Sequence, residues 1–388
     1  MNDESAKQTG RAKIHSRTFR SEVVDRMRET GNAWRLTGGE LVLPRVFGFC
    51  RGVERALEML ETACQTPSAG GQKFFLLGQI IHNPWVNDYF SRQGVRILTE
   101  QEIADLEQII RPADCAVIPA FGVRPDVQRR LAKIGCQIVD TSCGDVRRLW
   151  VWAQRAAREG YGVLIFGRAR HDETVVTKSL LAECGGRYVI AGDLAEVRTF
   201  CDAIAGRCNS QQFREAFDSQ ATNADGLSPF EQLAQVSQTT MLYEETMQVR
   251  DLIRQAFAER FGARQAAERL SFQPTVCRAT QDRQAAAVEL CQANCDLVVV
   301  VGGYGSSNTR HLYELARQYC PAYFIEDARA IFSSDELHTT DLVTNSAVVI
   351  RNWLPARRPL RIAVLAGAST PECVVAEVLQ KLAEFLAT

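Results

Sequence analysis

Three cysteines carry the strongest chemical signal in the sequence. Cys50 ends the run LVLPRVFGFC and is followed by Gly52 and a helix-like segment. Cys143 follows Asp140-Thr141-Ser142, and Cys277 stands between SFQPTV and RATQDRQAAAVEL. Each is expected at a strand-to-helix turn, where free helix amides favour thiolate over thiol. Their separations are domain-sized, which suggests three α/β units, each giving one ligand to a shared centre. Soft thiolates select iron–sulfur clusters or zinc, and three ligands leave one metal position open to a substrate. The plain alternative is three small packed hydrophobes. That reading suits most of the thirteen cysteines, which are scattered through apolar segments with no CxxC pair. Without such a pair, a zinc ribbon or thioredoxin-like site is not expected. Cys291 and Cys295 in ELCQANC are expected on one helix face as core packing.

A second signal concerns anions. VVVVGGYGSSNTR reads as a buried strand, a glycine turn, and Ser306, Ser307 and Asn308 at a helix start. Glycines let the backbone approach an anion closely, and helix amides with hydroxyls bind it. AGASTPE, with Ser369, repeats the arrangement; together the two turns favour a phosphate, although either serine alone suits a plain helix cap. Of five histidines, His82 (IIHNP) and His171 (RARHDET) follow apolar runs. There they could donate to a diphosphate or relay a proton, or simply be satisfied structural residues. His15, His311 and His338 fall in the N-terminal stretch and in helical or surface segments. Glu173 is the best proton donor, since a carboxyl in a pocket of low polarity keeps its proton near neutral pH. Its alternative role is to complement a helix dipole.

These residues need a scaffold of strand ends. One unit recurs along the chain: a short apolar run, a polar or glycine-rich turn, then a helix-like segment. It is seen in FFLLGQIIHNPWVNDYF, CAVIPAFGVRPDVQRRL, CQIVDTSCGDVRRLWVWAQRA, YGVLIFGRARHDETVVTKSL, CDLVVVVGGYGSSNTRHLYELA and RIAVLAGASTPECVVAEVLQKL, as well as around Cys50. Such alternation indicates βα units and parallel sheets, so the class is α/β. Ligands collect beyond the carboxyl ends of such strands. Residues 1–40 read as a partly ordered extension, with a short helix at 21–29 capped by Ser21 and turning Val24 and Met27 inward. A polar stretch near 203–230 reads as a surface insertion or flexible loop. The 388 residues suit two or three domains, and a hydrophobic fraction of 46% with 23% charged residues is ordinary for a globular protein. A net charge of −1 argues against a broad nucleic-acid surface. No apolar run approaches the ~18 residues of a membrane span. The N-terminal stretch lacks a secretory apolar core and is too acidic for a transit peptide, so the expected location is the cytoplasm.

Taken in order, GFCRGVERAL, HNPWV, AFGVRP, VDTSCGDV, HDET, SQTT, CRATQDRQ, GGYGSSNT and AGASTPE resemble the 4-hydroxy-3-methylbut-2-enyl diphosphate reductase family (IspH/LytB), over about residues 41–383. The resemblance implies three pseudo-symmetric α/β lobes in a trefoil around a central [4Fe–4S] cluster with one open iron site. The implied lobes are 41–142, 143–275 and 276–388, with the first strand at 41–50 free to pack with the third. The cluster ligands map onto Cys50, Cys143 and Cys277. The diphosphate site maps onto His82, His171, Ser306, Ser307, Asn308 and Ser369, and the proton-delivery pair onto Glu173 and Thr239. The implied reaction is a reductive dehydroxylation of a small diphosphate. Its electrons would come from a ferredoxin or flavodoxin, because the chain has no flavin or nicotinamide fingerprint.

Several positions depart from the family pattern. The family's AHG reads Ala120-Phe121-Gly122, so one phosphate-binding imidazole becomes a phenyl ring. Its HPE reads His171-Asp172-Glu173, after GRAR, where Arg168 or Arg170 could restore positive charge. Its CPLV reads Cys143-Gly144-Asp145-Val146, and a carboxylate there disfavours a more negative, reduced cluster. These changes surround the substrate and leave the three cysteines alone. Three further readings follow: a paralogue reducing another small molecule, a cluster-based redox or iron sensor, and a cluster-free phosphate-binding module.

Overall fold

The computed structural model describes residues 18–65 and 71–387. In chain order the first strands are β1 (Ala33–Leu36), β2 (Gly39–Val42), β3 (Phe74–Leu76), β4 (Val95–Ile97), β5 (Cys115–Ile118), β6 (Gln137–Asp140) and β7 (Gly162–Phe166). There follow β8 (Tyr188–Ala191), β9 (Leu233–Ser237), β10 (Leu270–Phe272), β11 (Leu297–Val301), β12 (Ala322–Ile325), β13 (Glu336–Thr340), β14 (Ala347–Arg351) and β15 (Leu360–Ala366). The chain divides into two compact units, one of residues 1–68, 79–95 and 278–388, the other of 69–78 and 96–277.

The first unit is built on a sheet in the order β1-β2-β15-β11-β12, parallel except for the β1–β2 ribbon. Its central strands are continuous apolar runs because both faces are covered. Val299, Val301 and Val364 pack with Leu379 and Leu382 of the helix Glu372–Leu386. Val298, Val300 and Leu365 pack on the opposite face with Cys291 and Leu312. The helix Glu22–Glu29 is capped by Ser21 and buries Val24 and Met27, as its spacing predicts. Residues 33–36 of the expected extension form the edge strand of this sheet, while residues 1–17 and His15 lie outside the described residues. An antiparallel hairpin, β13–β14, completes the unit.

The second unit holds two sheets, β4-β3-β5-β6 and β10-β9-β7-β8. Every residue of β7 is buried. Leu164 and Phe166 face a cluster containing Phe200, Phe213, Phe217 and Phe230, and Val163 and Ile165 face Leu149, Ala153 and Leu181. The reading of 203–230 as a flexible loop is therefore corrected. The stretch holds the helix Ser210–Ala216, and three phenylalanines spaced among its polar residues anchor it in the core.

Two local expectations also change. The run before Cys50 is strand over Gly39–Val42 alone and then a loop, so Cys50 begins a helix without ending a strand. The helix carrying Cys291 stops at Gln292, and Cys295 lies past its end, with Asn294 at φ 59° reversing the chain. Both thiols still pack in one core cluster.

Candidate active site

In the first unit, the turn after β11 leads into the helix Ser307–Ala316, and the turn after β15 carries Ser369. Ser306 caps the helix, accepting from the Thr309 N–H at 3.3 Å. The Ser369 hydroxyl lies 3.4 Å from the Ser306 hydroxyl and 3.5 Å from the His82 carbonyl. Asn308 joins the two turns, its Oδ1 accepting from the Ala368 N–H at 2.9 Å. Ser306, Ser307, Asn308 and Ser369 are buried, and His82 is half-buried. Ser307 differs from a plain cap, because its buried hydroxyl has no hydrogen-bond partner among the described residues. A buried orphan hydroxyl is costly unless something else binds it. Cys50 sits beside this cradle: its N–H donates to the Ala368 carbonyl at 3.3 Å, and the Val53 N–H points at its sulfur at 3.5 Å.

The second unit holds the acidic pair. Glu173 lies in the first turn of the helix Asp172–Glu183 and is 1% exposed. Thr239, just beyond β9, donates its N–H to Glu173 Oε1 and its hydroxyl to Oε2, each at 2.6 Å. Burial and the charge of Asp145 raise the Glu173 carboxyl, the Thr239 bonds oppose them, and it comes to rest at about 7. The Thr239 carbonyl accepts the N–H of Cys277 at 3.0 Å, and the Ala120 carbonyl accepts that of Cys143 at 2.9 Å.

His171 caps the same helix through Nδ1, which accepts from the Glu173 N–H at 3.2 Å. That bond assigns any ring proton of a neutral His171 to Nε2. The Phe121 ring meets His171 edge-on, 5.9 Å between centroids. Behind Phe121, Gly122 adopts φ 81°, where a side chain is strained, and a Cβ there would lie 2.3 Å from the Trp150 ring. Arg168 is half-buried and Arg170 exposed. Asp145 is paired with Arg148 at 3.2 Å, which offsets part of its charge.

Single-residue reasoning missed Gln238. It is buried between the turns that follow β7 and β9, accepting from the Arg168 N–H at 3.1 Å and donating to the Thr240 hydroxyl at 2.7 Å. Its sequence signal was the SQTT segment, which carries no chemical pattern of its own.

A model of the LytB protein family matches residues 41–383. The chain belongs to the LytB family. A 4-hydroxy-3-methylbut-2-enyl diphosphate reductase of Thermosynechococcus vestitus is 34% identical, the alignment covering 94% of this chain and 89% of that protein. One from Gloeobacter violaceus is also 34% identical, over 94% and 88%. Among solved structures, the E-1-hydroxy-2-methyl-but-2-enyl-4-diphosphate reductase of Plasmodium falciparum superposes with a TM-score of 0.63 at 23% identity, covering 90% of this chain and 88% of that one. A second, an (E)-4-hydroxy-3-methyl-but-2-enyl diphosphate reductase, covers 89% of this chain and 99% of its own at a TM-score of 0.53 and 23% identity. These likenesses show a shared α/β fold. No helix among the described residues of this LytB chain is long and apolar enough to cross a membrane.

Proposed function

We propose that this chain is an iron–sulfur reductase that removes the hydroxyl of an allylic diphosphate, 4-hydroxy-3-methylbut-2-enyl diphosphate or a close relative. The reaction consumes two electrons and two protons and releases water with isopentenyl or dimethylallyl diphosphate. The observation that carries this reading is the buried Glu173–Thr239 pair, a carboxyl held through both oxygens in a chain whose relatives are named reductases.

Cys50, Cys143 and Cys277 are the proposed ligands. Each directly precedes a helix, Arg51–Gln65, Gly144–Arg158 or Arg278–Gln292, and each is half-buried. The Val53 N–H points at the Cys50 sulfur at 3.5 Å. Among the described residues no three His, Cys, Asp or Glu side chains form a group able to hold one metal ion. Three soft thiolates suit an iron–sulfur cluster, which gives each thiolate its own iron. When bound, a [4Fe–4S] cluster would supply electrons singly and a Lewis-acidic iron for the substrate hydroxyl. An external ferredoxin or flavodoxin would deliver the electrons.

The chain's own residues do the rest. His82, Ser306, Ser307, Asn308 and Ser369 bind the diphosphate, with the Ser307 hydroxyl supplying a bond that the free protein leaves unmade. Glu173 gives a proton to the departing hydroxyl, and Thr239 holds both carboxyl oxygens so that the acid keeps one orientation. His171 offers its Nε2 side to substrate.

Phe121 favours a second reading, a paralogue whose substrate differs near His171. A phenyl edge there offers neither charge nor a donor to a phosphate, and exposed Arg170 is the nearest substitute in the sequence. The deciding experiment is anaerobic reconstitution followed by assay of the pathway diphosphate with reduced viologen, using the natural chain and Phe121→His. The expected outcome is slow turnover by the natural chain and a KM roughly tenfold lower in the variant, about one charged hydrogen bond. Full and equal activity in both removes the second reading; an iron-loaded protein inert in both forms removes the first.

A further inference from the structure

We infer that Lys178 is a positioning residue, tying the turn that presents His171 to the polar insertion beside β8. The inference rests on the reading of His171 as a substrate-binding group. Lys178 lies on the helix Asp172–Glu183, and its Nζ donates to two carbonyls, Ala169 at 3.2 Å and Gln220 at 3.0 Å. Ala169 sits inside the turn closed by the His171 N–H on the Arg168 carbonyl at 3.0 Å. Gln220 belongs to the polar stretch 203–230, which neither the acid pair nor the phosphate cradle uses.

That stretch is a firm anchor. Asp218 Oδ1 accepts the N–H groups of Gln220 and Ala221 at 2.9 and 3.0 Å. The next residues cover the outer edge of β8: the Ile190 N–H donates to the Ala221 carbonyl at 2.7 Å, and the Tyr188 N–H to Asn223 Oδ1 at 2.9 Å. The Thr222 hydroxyl closes the pairing on the Tyr188 carbonyl at 2.6 Å. A continuous line of bonds thus runs from the edge of the sheet through Lys178 to the turn before His171. Burial disfavours the ammonium and Arg170 repels it, Asp218 attracts it, and the net effect holds Lys178 below its ordinary value. The Ala169 bond is part-buried and the Gln220 bond exposed, and both are charge-assisted.

The tie governs binding more than chemistry. Glu173 is fixed separately by Thr239, so loosening the turn frees the His171 ring without releasing the acid. The insertion thereby acquires a role that its composition hides: it braces a ligand-facing turn from outside.

The test compares full-length, reconstituted natural chain, Lys178→Met and Lys178→Arg. Hydrogen exchange at the Arg168 and His171 amides, measured without substrate, is expected to quicken roughly tenfold in Lys178→Met and to stay near natural in Lys178→Arg, which keeps the charged donors. KM for the allylic diphosphate is expected to rise about tenfold in Lys178→Met, with kcat within about twofold. Unchanged exchange at the turn in Lys178→Met overturns the tie, whatever the kinetics show. Absence of turnover in all three proteins counts against the proposed reaction, and the exchange data still decide the tie. If Lys178→Met loses protection throughout β7 and β9, the milder Lys178→Gln takes its place under the same criteria.

Discussion

Burial and hydrogen bonding pull on Glu173 in opposite directions. Burial disfavours the carboxylate, the two Thr239 donors favour it, and the value of about 7 against an ordinary 4.5 says that burial wins. A carboxyl that binds its proton more tightly when folded makes the fold less stable as pH rises from its unfolded value to its folded one. The cost is absent below about pH 4, grows through the window from 4.5 to about 7, and is complete above it. By linkage it amounts to roughly 3 kcal/mol. Glu173→Gln should therefore match the natural chain in urea unfolding near pH 4 and exceed it by about 2–3 kcal/mol near pH 8. The same variant should lose a factor of about 10²–10⁴ in kcat. In the natural chain, kcat should decline as pH rises past about 7, since the acid must hold its proton. A stability difference that is the same at both pH values would show that Glu173 does not titrate in this window. The candidate acid was picked out by one segment, HDET. Its partner was not, because Thr239 lies 66 residues away and a threonine after a strand has no chemical pattern until the fold pairs it with a carboxylate. Family resemblance supplied that residue.

Among the elements, the βα rhythm was legible wherever a strand is buried on both faces, as in β7 and β11, because burial forces an unbroken apolar run. β9 escaped notice: its sequence LAQVS carries buried Gln235, whose Nε2 donates to the Thr246 carbonyl, and buried Ser237, whose backbone N–H donates to the Thr275 hydroxyl. β13 and β14 are half-exposed and read as surface. The insertion misled through composition, since three phenylalanines suffice to bury a segment that is otherwise polar. What the sequence did convey about turns was the meaning of their glycines. A Cβ on Gly303 would stand 2.5 Å from the His82 carbonyl oxygen and 3.1 Å from Pro84 Cδ. Both are backbone-fixed atoms that cannot swing aside, so the turn after β11 and the His82 segment must part. Gly303→Ala should cost about 1–3 kcal/mol of stability and raise KM for a diphosphate, while leaving the pH profile of Glu173 untouched. Thermal unfolding and steady-state kinetics check both; an alanine accepted without loss of either would show that the two segments slide freely.

At the scale of the whole molecule, several of the thirteen cysteines sit where burial opposes a negative charge on sulfur. Burial pushes the thiols of Cys201 and Cys291 up to about 12 and that of Cys295 to about 11, so none ionises at neutral pH. They sit in the apolar clusters under β7 and β11 and act as small hydrophobes. Cys50, Cys143 and Cys277 are each half-buried and directly precede a helix, and the Val53 N–H lies 3.5 Å from the Cys50 sulfur. If those three hold a cluster, replacing any one by serine should cost most of the iron, sulfide and visible absorbance after anaerobic reconstitution, with folding otherwise intact by circular dichroism. Replacing Cys201, Cys291 or Cys295 by alanine should leave the iron in place and lower stability by about 1–2 kcal/mol, the effect of a small cavity. The two sets are expected to fail in opposite ways, the first losing metal but not core, the second core but not metal. An iron-replete Cys143→Ser, or an iron-free Cys291→Ala that is still folded, would break the division and with it the assignment of ligands.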